Sequence, residues 1–162
     1  MFTSSKQFRY WFYSILLCLF FITQTKANTV EKCDSLINAG VNALNKNQYI
    51  KSLELLTQAR TLSEKNRWHK QSFLAINNIG ANYYRLLEYG EALNYYIDAY
   101  SIALKELEPK YEMIVLNNIA ILYSKEENYE KAKEYFKKAY DIAKQNKDDL
   151  KGTMADATEI GM

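Results

Sequence analysis

Apolar and polar positions along this chain recur in blocks spaced forty residues apart. Gly40, Gly80 and Ala120 stand in register, preceded by Ala39, Ile79 and Ile119, and Leu36, Ile76 and Leu116 lead each block. The register continues through Ala43, Tyr83 and Tyr123, then Tyr49, Tyr89 and Tyr129, and then Ser52, Ala92 and Ala132. It closes with Leu56, Tyr96 and Phe136, and with Ala59, Ala99 and Ala139. A fixed period of this length implies stacked copies of one supersecondary unit.

Within each unit the apolar residues fall at three- and four-residue spacing in two runs, which predicts two amphipathic helices. In the second unit Phe73, Ile76, Ile79, Gly80 and Tyr83 form one face, and Tyr89, Ala92, Leu93, Tyr96, Ala99, Tyr100 and Ala103 form the other. The third unit repeats this with Met113, Leu116, Ile119, Ala120 and Tyr123, then Tyr129, Ala132, Phe136, Ala139 and Ala143, all expected in the core. Polar turns are expected at Asn45–Gln48, Leu86–Glu88 and Lys125–Asn128. Small residues at 80, 120, 92 and 132 would let paired helices approach closely, with Tyr83, Tyr96 and Phe136 filling the space beside them. Pro109 fits the first turn of a helix. The expected fold is therefore all-α, an antiparallel helix-pair solenoid of three full repeats, about 30–66, 67–107 and 108–147, plus a partial fourth.

The partial fourth repeat rests on residues 148–162. Leu150, Met154 and Ala157 keep helical spacing, and Ala157, Ile160 and Gly161 echo Ile76, Ile79 and Gly80 one residue out of register. This segment reads either as the start of a fourth unit in a longer protein or as a C-terminal capping helix. At the other end, Lys6 and Arg9 precede an apolar run from Tyr10 to Ile22, followed by Thr25-Lys26-Ala27. That order matches an export signal, cleaved after Ala27 or kept as an anchor, and places residues 28–162 in the periplasm or cell envelope. The apolar run is shorter than the roughly 20 residues of a spanning helix.

The units resemble the tetratricopeptide repeat (TPR) family. Ile76, Ile79-Gly80, Tyr83, Tyr89, Ala92, Tyr96 and Ala99 carry the likeness, as do their counterparts forty residues later. Ala43 and Ser52 make the first unit a weaker match, and the likeness spans about residues 30–146. The family's common repeat has 34 residues; forty is similar to the lengthened repeats of kinesin light chains and of bacterial regulatory TPR proteins. The resemblance implies a TPR superhelix whose leading helices line a concave, peptide-binding groove. It also suggests the sensory part of an exported signalling regulator.

The net charge of +2 conceals a split: the first 27 residues hold three basic residues and no acid, leaving 18 basic and 19 acidic residues in the remainder. No basic field is left to attract a phosphate backbone, so nucleic acid is not an expected partner. A single histidine, His69, provides no zinc-binding pair and no catalytic triad beyond itself, and no glycine-rich phosphate loop exists. The chain is read as non-catalytic, with no cofactor and no metal. Cys33 is expected as a half-buried thiol on the first helix, or as a site of intermolecular pairing.

Asn38, Asn78 and Asn118 also recur at forty residues, two positions before the Gly or Ala of each unit. An amide carries both donors and an acceptor. A ladder of amides could pair with both groups of an extended peptide backbone, or could instead bond within the stack. The groove face expected around them adds Asn77, Asn117, Tyr84, Arg85 and Lys125, a polar surface with a positive edge suited to a peptide of some acidic character. Ile37 and Val41, Leu74, and Ile114 occupy places where three of the polar or charged residues by which chaperone-binding relatives hold a C-terminal carboxylate would be expected; Asn78 matches and Asn118 stands in for the arginine, but that ligand is not expected. The alternative reading is an assembly scaffold that docks envelope proteins or self-associates through an uncovered last helix.

Overall fold

The structure, a computed structural model, describes the backbone of residues 5–159 and the side chains of residues 13–16 and 29–147. Six helices follow in order: α1 (Ser5–Asn45), α2 (Tyr49–Asn66), α3 (His69–Arg85), α4 (Tyr89–Glu106), α5 (Pro109–Lys125) and α6 (Tyr129–Glu159). They form a solenoid of antiparallel helix pairs in which each helix packs on the next and α1 also touches α3. Turns fall where the polar stretches predict them. α1 and α6 each continue through an expected segment boundary, at Ala27 and after residue 147, without a turn. Among the described residues no helix is long and apolar enough to cross a membrane.

The turn inside each repeat is a copy of one device. Asn47, Leu87 and Glu127 adopt positive φ of 56°, 65° and 59°. The next residue's N–H then reaches back to the helix, from Gln48 to the Ala43 carbonyl, Glu88 to Tyr83 and Asn128 to Tyr123, each at 2.9 Å. A left-handed residue followed by such a bond satisfies the last carbonyls of a helix and reverses the chain. Arg67 (φ 56°) does the same between α2 and α3, with Trp68 N–H on the Ser63 carbonyl at 2.9 Å. Pro109 lies in the first turn of α5, where its missing N–H costs nothing.

Antiparallel helices in a pair meet at the small residue of the leading helix. A Cβ on Gly40 would lie 2.7 Å from Leu56 Cγ, and one on Gly80 would lie 2.8 Å from Tyr96 Cε1. The apolar cores sit where three successive helices converge. Cys33 and Ile37 of α1, Ala59 of α2 and Ala75 of α3 make one. Phe73 and Ile76 of α3, Tyr96 and Ala99 of α4, and Val115 and Ile119 of α5 belong to the other. Phe73 meets Tyr111 edge to face at 5.2 Å, binding the second repeat to the third. Each large apolar side chain buried in this way contributes roughly 1.5–3 kcal/mol.

Three expectations change. Tyr129 and Phe136 were placed in the core by analogy with Tyr89 and Tyr96, yet they are 64% and 43% exposed, because no described helix crosses α6 as α5 crosses α4. Cys33 is fully buried rather than half-buried. Its thiol lies 3.5 Å from the Ala59 carbonyl, and burial, with Asp34 beside it, pushes its pKa up. Ser52, which weakens the first repeat's match, is a fully buried bridge. Its hydroxyl donates to the Gly40 carbonyl at 2.8 Å and accepts from Asn82 Nδ2 at 2.9 Å, tying α1, α2 and α3 together.

Filling the contact at Gly80 should be costly. Gly80→Leu must displace the Tyr96 ring and is expected to lose about 1–3 kcal/mol, whereas Gly90→Ala, with nothing within 4 Å of its added Cβ, should be neutral or gain up to about 1 kcal/mol. Thermal melts of the two variants check this, and an unchanged midpoint for Gly80→Leu would refute the close approach. Burial also holds the Tyr96 hydroxyl well above its ordinary pKa, with Tyr84 adding a smaller push in the same direction. The folded state thus keeps this proton more tightly than the unfolded chain. The associated stability is full below about pH 10 and is lost as pH rises beyond it. Melting midpoints measured upward from pH 9 should fall less steeply in Tyr96→Phe than in the wild type; Tyr83 and Tyr100, shifted in the same direction, keep some slope in the variant.

Candidate functional site

The leading helices α1, α3 and α5 lie beside one another on one side of the stack, joined by two side-chain bridges. Gln71 Nε2 of α3 donates to Asp34 Oδ1 of α1 at 3.2 Å. Asn118 Nδ2 of α5 donates to Asn77 Oδ1 of α3 at 2.8 Å. Residues spaced three and four apart on a helix share one face. The face that carries these bridges therefore also holds Leu74, Asn78, Ala81 and Arg85 on α3, and Ile114, Asn117, Ile121 and Lys125 on α5.

The three asparagines that recur at forty residues occupy one structural position but differ in their bonding. Asn38 is exposed on α1. Asn78 is half-buried and gives an amide hydrogen to the Leu74 carbonyl of its own helix at 2.7 Å. Asn118, also half-buried, gives one to Asn77. The ladder is thus partly spent within the stack. What it still presents is the carbonyl oxygen of Asn78 and of Asn118, the half-buried side chain of Asn117, and the exposed amide of Asn38. Asn77 is buried, and its oxygen serves Asn118.

The remaining expected residues divide. Arg85 and Lys125 are exposed in the last turns of α3 and α5, where a cation also complements the helix dipole. Together they form a positive end to the amide strip. Tyr84 is half-buried, and its ring lies 5.7 Å from that of Tyr89, so it braces its own repeat's turn as well as bordering the face. Ile114 and Ile121 are 44% and 42% exposed on this face, flanking Asn117 and Asn118. Their exposure tracks the leading-helix position already noted at Leu74 and Val41, which are half-buried.

Two features were not foreseen. Tyr83 stacks on Tyr95 at 5.3 Å and Tyr123 on Tyr135 at 5.5 Å, one device repeated at forty residues. Its signal was the recurrence of Tyr95 and Tyr135 next to the core aromatics. The other is an open groove of about 570 Å³ on α6, lined by Ser124, Tyr129, Ala132, Lys133, Phe136, Lys137 and Tyr140. His69 is exposed at the start of α3, its Nδ1 3.8 Å from a Glu106 carboxylate oxygen at the end of α4. Among the described residues no three His, Cys, Asp or Glu side chains are grouped to hold a metal ion.

The tetratricopeptide-repeat family model matches residues 71–145. Among solved structures, the crystal structure of the TPR domain of Arabidopsis FLU is similar, with a TM-score of 0.64 at 18% identity. The alignment covers 72% of this chain and 98% of that one, and the likeness is one of fold. No curated protein matches the chain in sequence.

Proposed function

We propose, for a chain whose residues 71–145 match the tetratricopeptide-repeat family model and whose fold suggests protein–protein interaction, that the α1–α3–α5 face binds an extended peptide or loop of a partner protein. The observation that carries this is the pairing of Ile114 and Ile121, exposed on an interior helix, with the amides of Asn117 and Asn118 between them. Packing of the stack gives no reason for isoleucines to face water there. Apolar spots alternating with amides suit a peptide, whose side chains need apolar contact and whose backbone N–H groups need acceptors. The free oxygens of Asn78 and Asn118 supply acceptors, and Arg85 and Lys125 favour acidic residues at one end of the ligand. The amino-terminal order of basic, apolar and small residues supports action in the cell envelope after export. In that setting the module serves as the ligand-reading part of a signalling regulator.

Peptides selected from a random library on the wild-type protein should be apolar with acidic residues toward one end. Asn78→Ala combined with Asn118→Ala should weaken them severalfold without loss of helicity, since each neutral hydrogen bond lost is worth about 0.5–1.5 kcal/mol. Equal affinity for the variant and the wild type, with helicity intact, would refute the binding role of the amides.

A further inference from the structure

The forty-residue register makes α4 a guide to α6. Phe136 and Tyr140 of α6 are the counterparts of Tyr96 and Tyr100 of α4. Tyr96 is buried and Tyr100 half-buried, whereas Phe136 and Tyr140 are 43% and 66% exposed. The difference marks the footprint of α5 on α4. Tyr111, Val115, Ile119 and Leu122 of α5 share one apolar cluster with Tyr96, Ala99 and Ala103. At the edge of that contact the Tyr100 hydroxyl donates to a Glu112 carboxylate oxygen at 3.2 Å. Ile97 and Leu104 of α4 stay exposed with α5 in place, so they lie outside the footprint. In its open groove of about 570 Å³, α6 thus presents the kind of seat that an amphipathic helix already fills on α4.

The chemistry of the seat differs in one respect. Leu93 and Ile97 of α4 are replaced by Lys133 and Lys137, and the groove lining holds both lysines and no acid. Among the described residues neither lysine has a carboxylate partner, whereas Lys138 of the same helix is paired with Glu134 at 2.6 Å. An apolar floor with a cationic edge is complementary to a helix that carries apolar residues three and four apart and carboxylates along one flank.

We infer that the α6 groove docks an amphipathic helix of another protein, apolar on one face and acidic along its flank, in the place that α5 takes on α4. The apolar residues of that helix follow the spacing of Tyr111, Val115, Ile119 and Leu122. One of its carboxylates accepts from the Tyr140 hydroxyl as Glu112 accepts from Tyr100, and others lie beside Lys133 and Lys137. A second copy of this chain does not meet these terms. On α1 the counterparts of the four α5 residues are Glu31, Ser35, Ala39 and Asn42, all exposed, and only Ala39 is apolar. Pairing two α6 grooves would gather the lysines of both copies with no acid in either lining. Nor do residues 148–159 fold back over the groove, because α6 continues to Glu159 without a turn. The ligand is a helix, unlike the extended segment proposed for the α1–α3–α5 face, so the two surfaces are separable by experiment.

The test is titration of the full chain with two synthetic peptides of 17 residues, the length of α5, that carry Tyr, Val, Ile and Leu at the α5 spacing. One has Glu and Ala at its other positions, and the other has Lys and Ala. Fluorescence anisotropy reads binding, and circular dichroism reads helix formation. The acidic peptide should saturate one site and gain helicity, and the basic peptide should bind at least about tenfold more weakly. Lys133→Glu with Lys137→Glu, both exposed, should reverse that preference, and Tyr140→Phe should weaken the acidic peptide severalfold. Asn78→Ala with Asn118→Ala should leave its affinity unchanged, which separates this site from the α1–α3–α5 face. Binding of neither peptide, equal affinity for both, or a preference unmoved by the lysine reversal overturns the inference. So does loss of the acidic peptide in the asparagine variant, which would place it on the other face. Self-association that competes with the acidic peptide would make a second copy the occupant and also overturns it. Unchanged affinity in Tyr140→Phe overturns the carboxylate contact at Tyr140.

Discussion

The close approach of the two helices in each repeat is the constraint on which the rest depends. At Gly40 and Gly80 the leading helix has no side chain, so Leu56 and Tyr96 press against its backbone. That distance lets a three-residue turn with one left-handed residue reverse the chain, because the helix ends are already near each other. It also fixes where the next repeat can sit. Each following helix closes a core that the preceding pair leaves open, as α3 does over Cys33, Ile37 and Ala59, and α5 does over Phe73, Tyr96 and Ala99. Stability in such a stack is a sum of neighbour contacts.

Much of this was legible in the sequence because the forty-residue period reports core positions directly. Gly80, Tyr96, Ala92 and Ile119 all sit where their spacing put them. The period failed where burial depends on what comes next rather than on the unit itself. Phe136 repeats Tyr96, but Tyr96 is covered by α5 and Phe136 by no described helix. It failed again where a departure from the pattern had its own purpose. Ser52 breaks the alanine column because its hydroxyl links the Gly40 carbonyl to Asn82. Forty residues on, the counterpart of Asn82 is Leu122 and that of Ser52 is Ala92, both fully buried in one apolar cluster. A polar pair in one repeat and an apolar pair in another are both consistent solutions, since half of a buried hydrogen bond is worse than none.

The candidate site was legible as residues but not as bonding. Asn38, Asn78 and Asn118 are identical in sequence register, yet one faces water, one bonds its own helix and one bonds Asn77 of the neighbouring helix. The difference arises from neighbours outside the forty-residue comparison. Asn77 supplies an acceptor to α5, while its counterpart Ile37 on α1 offers none to Asn78. The result is a surface braced by bonds within the stack, with amide groups flanked on α5 by Ile114 and Ile121. Such a pre-organised face loses little freedom on binding, which favours recognition of a flexible segment.

The claim that this amide face is the binding surface is tested most directly by NMR of the asparagine side-chain amides, titrated with a peptide selected on the folded protein. The signals of Asn38, Asn78, Asn117 and Asn118 should move together and saturate at one concentration, while those of Asn66 and Asn94, exposed on α2 and α4, stay in place. Movement confined to Asn66, Asn94 or Asn128, with the α1–α3–α5 amides unmoved, would contradict the account.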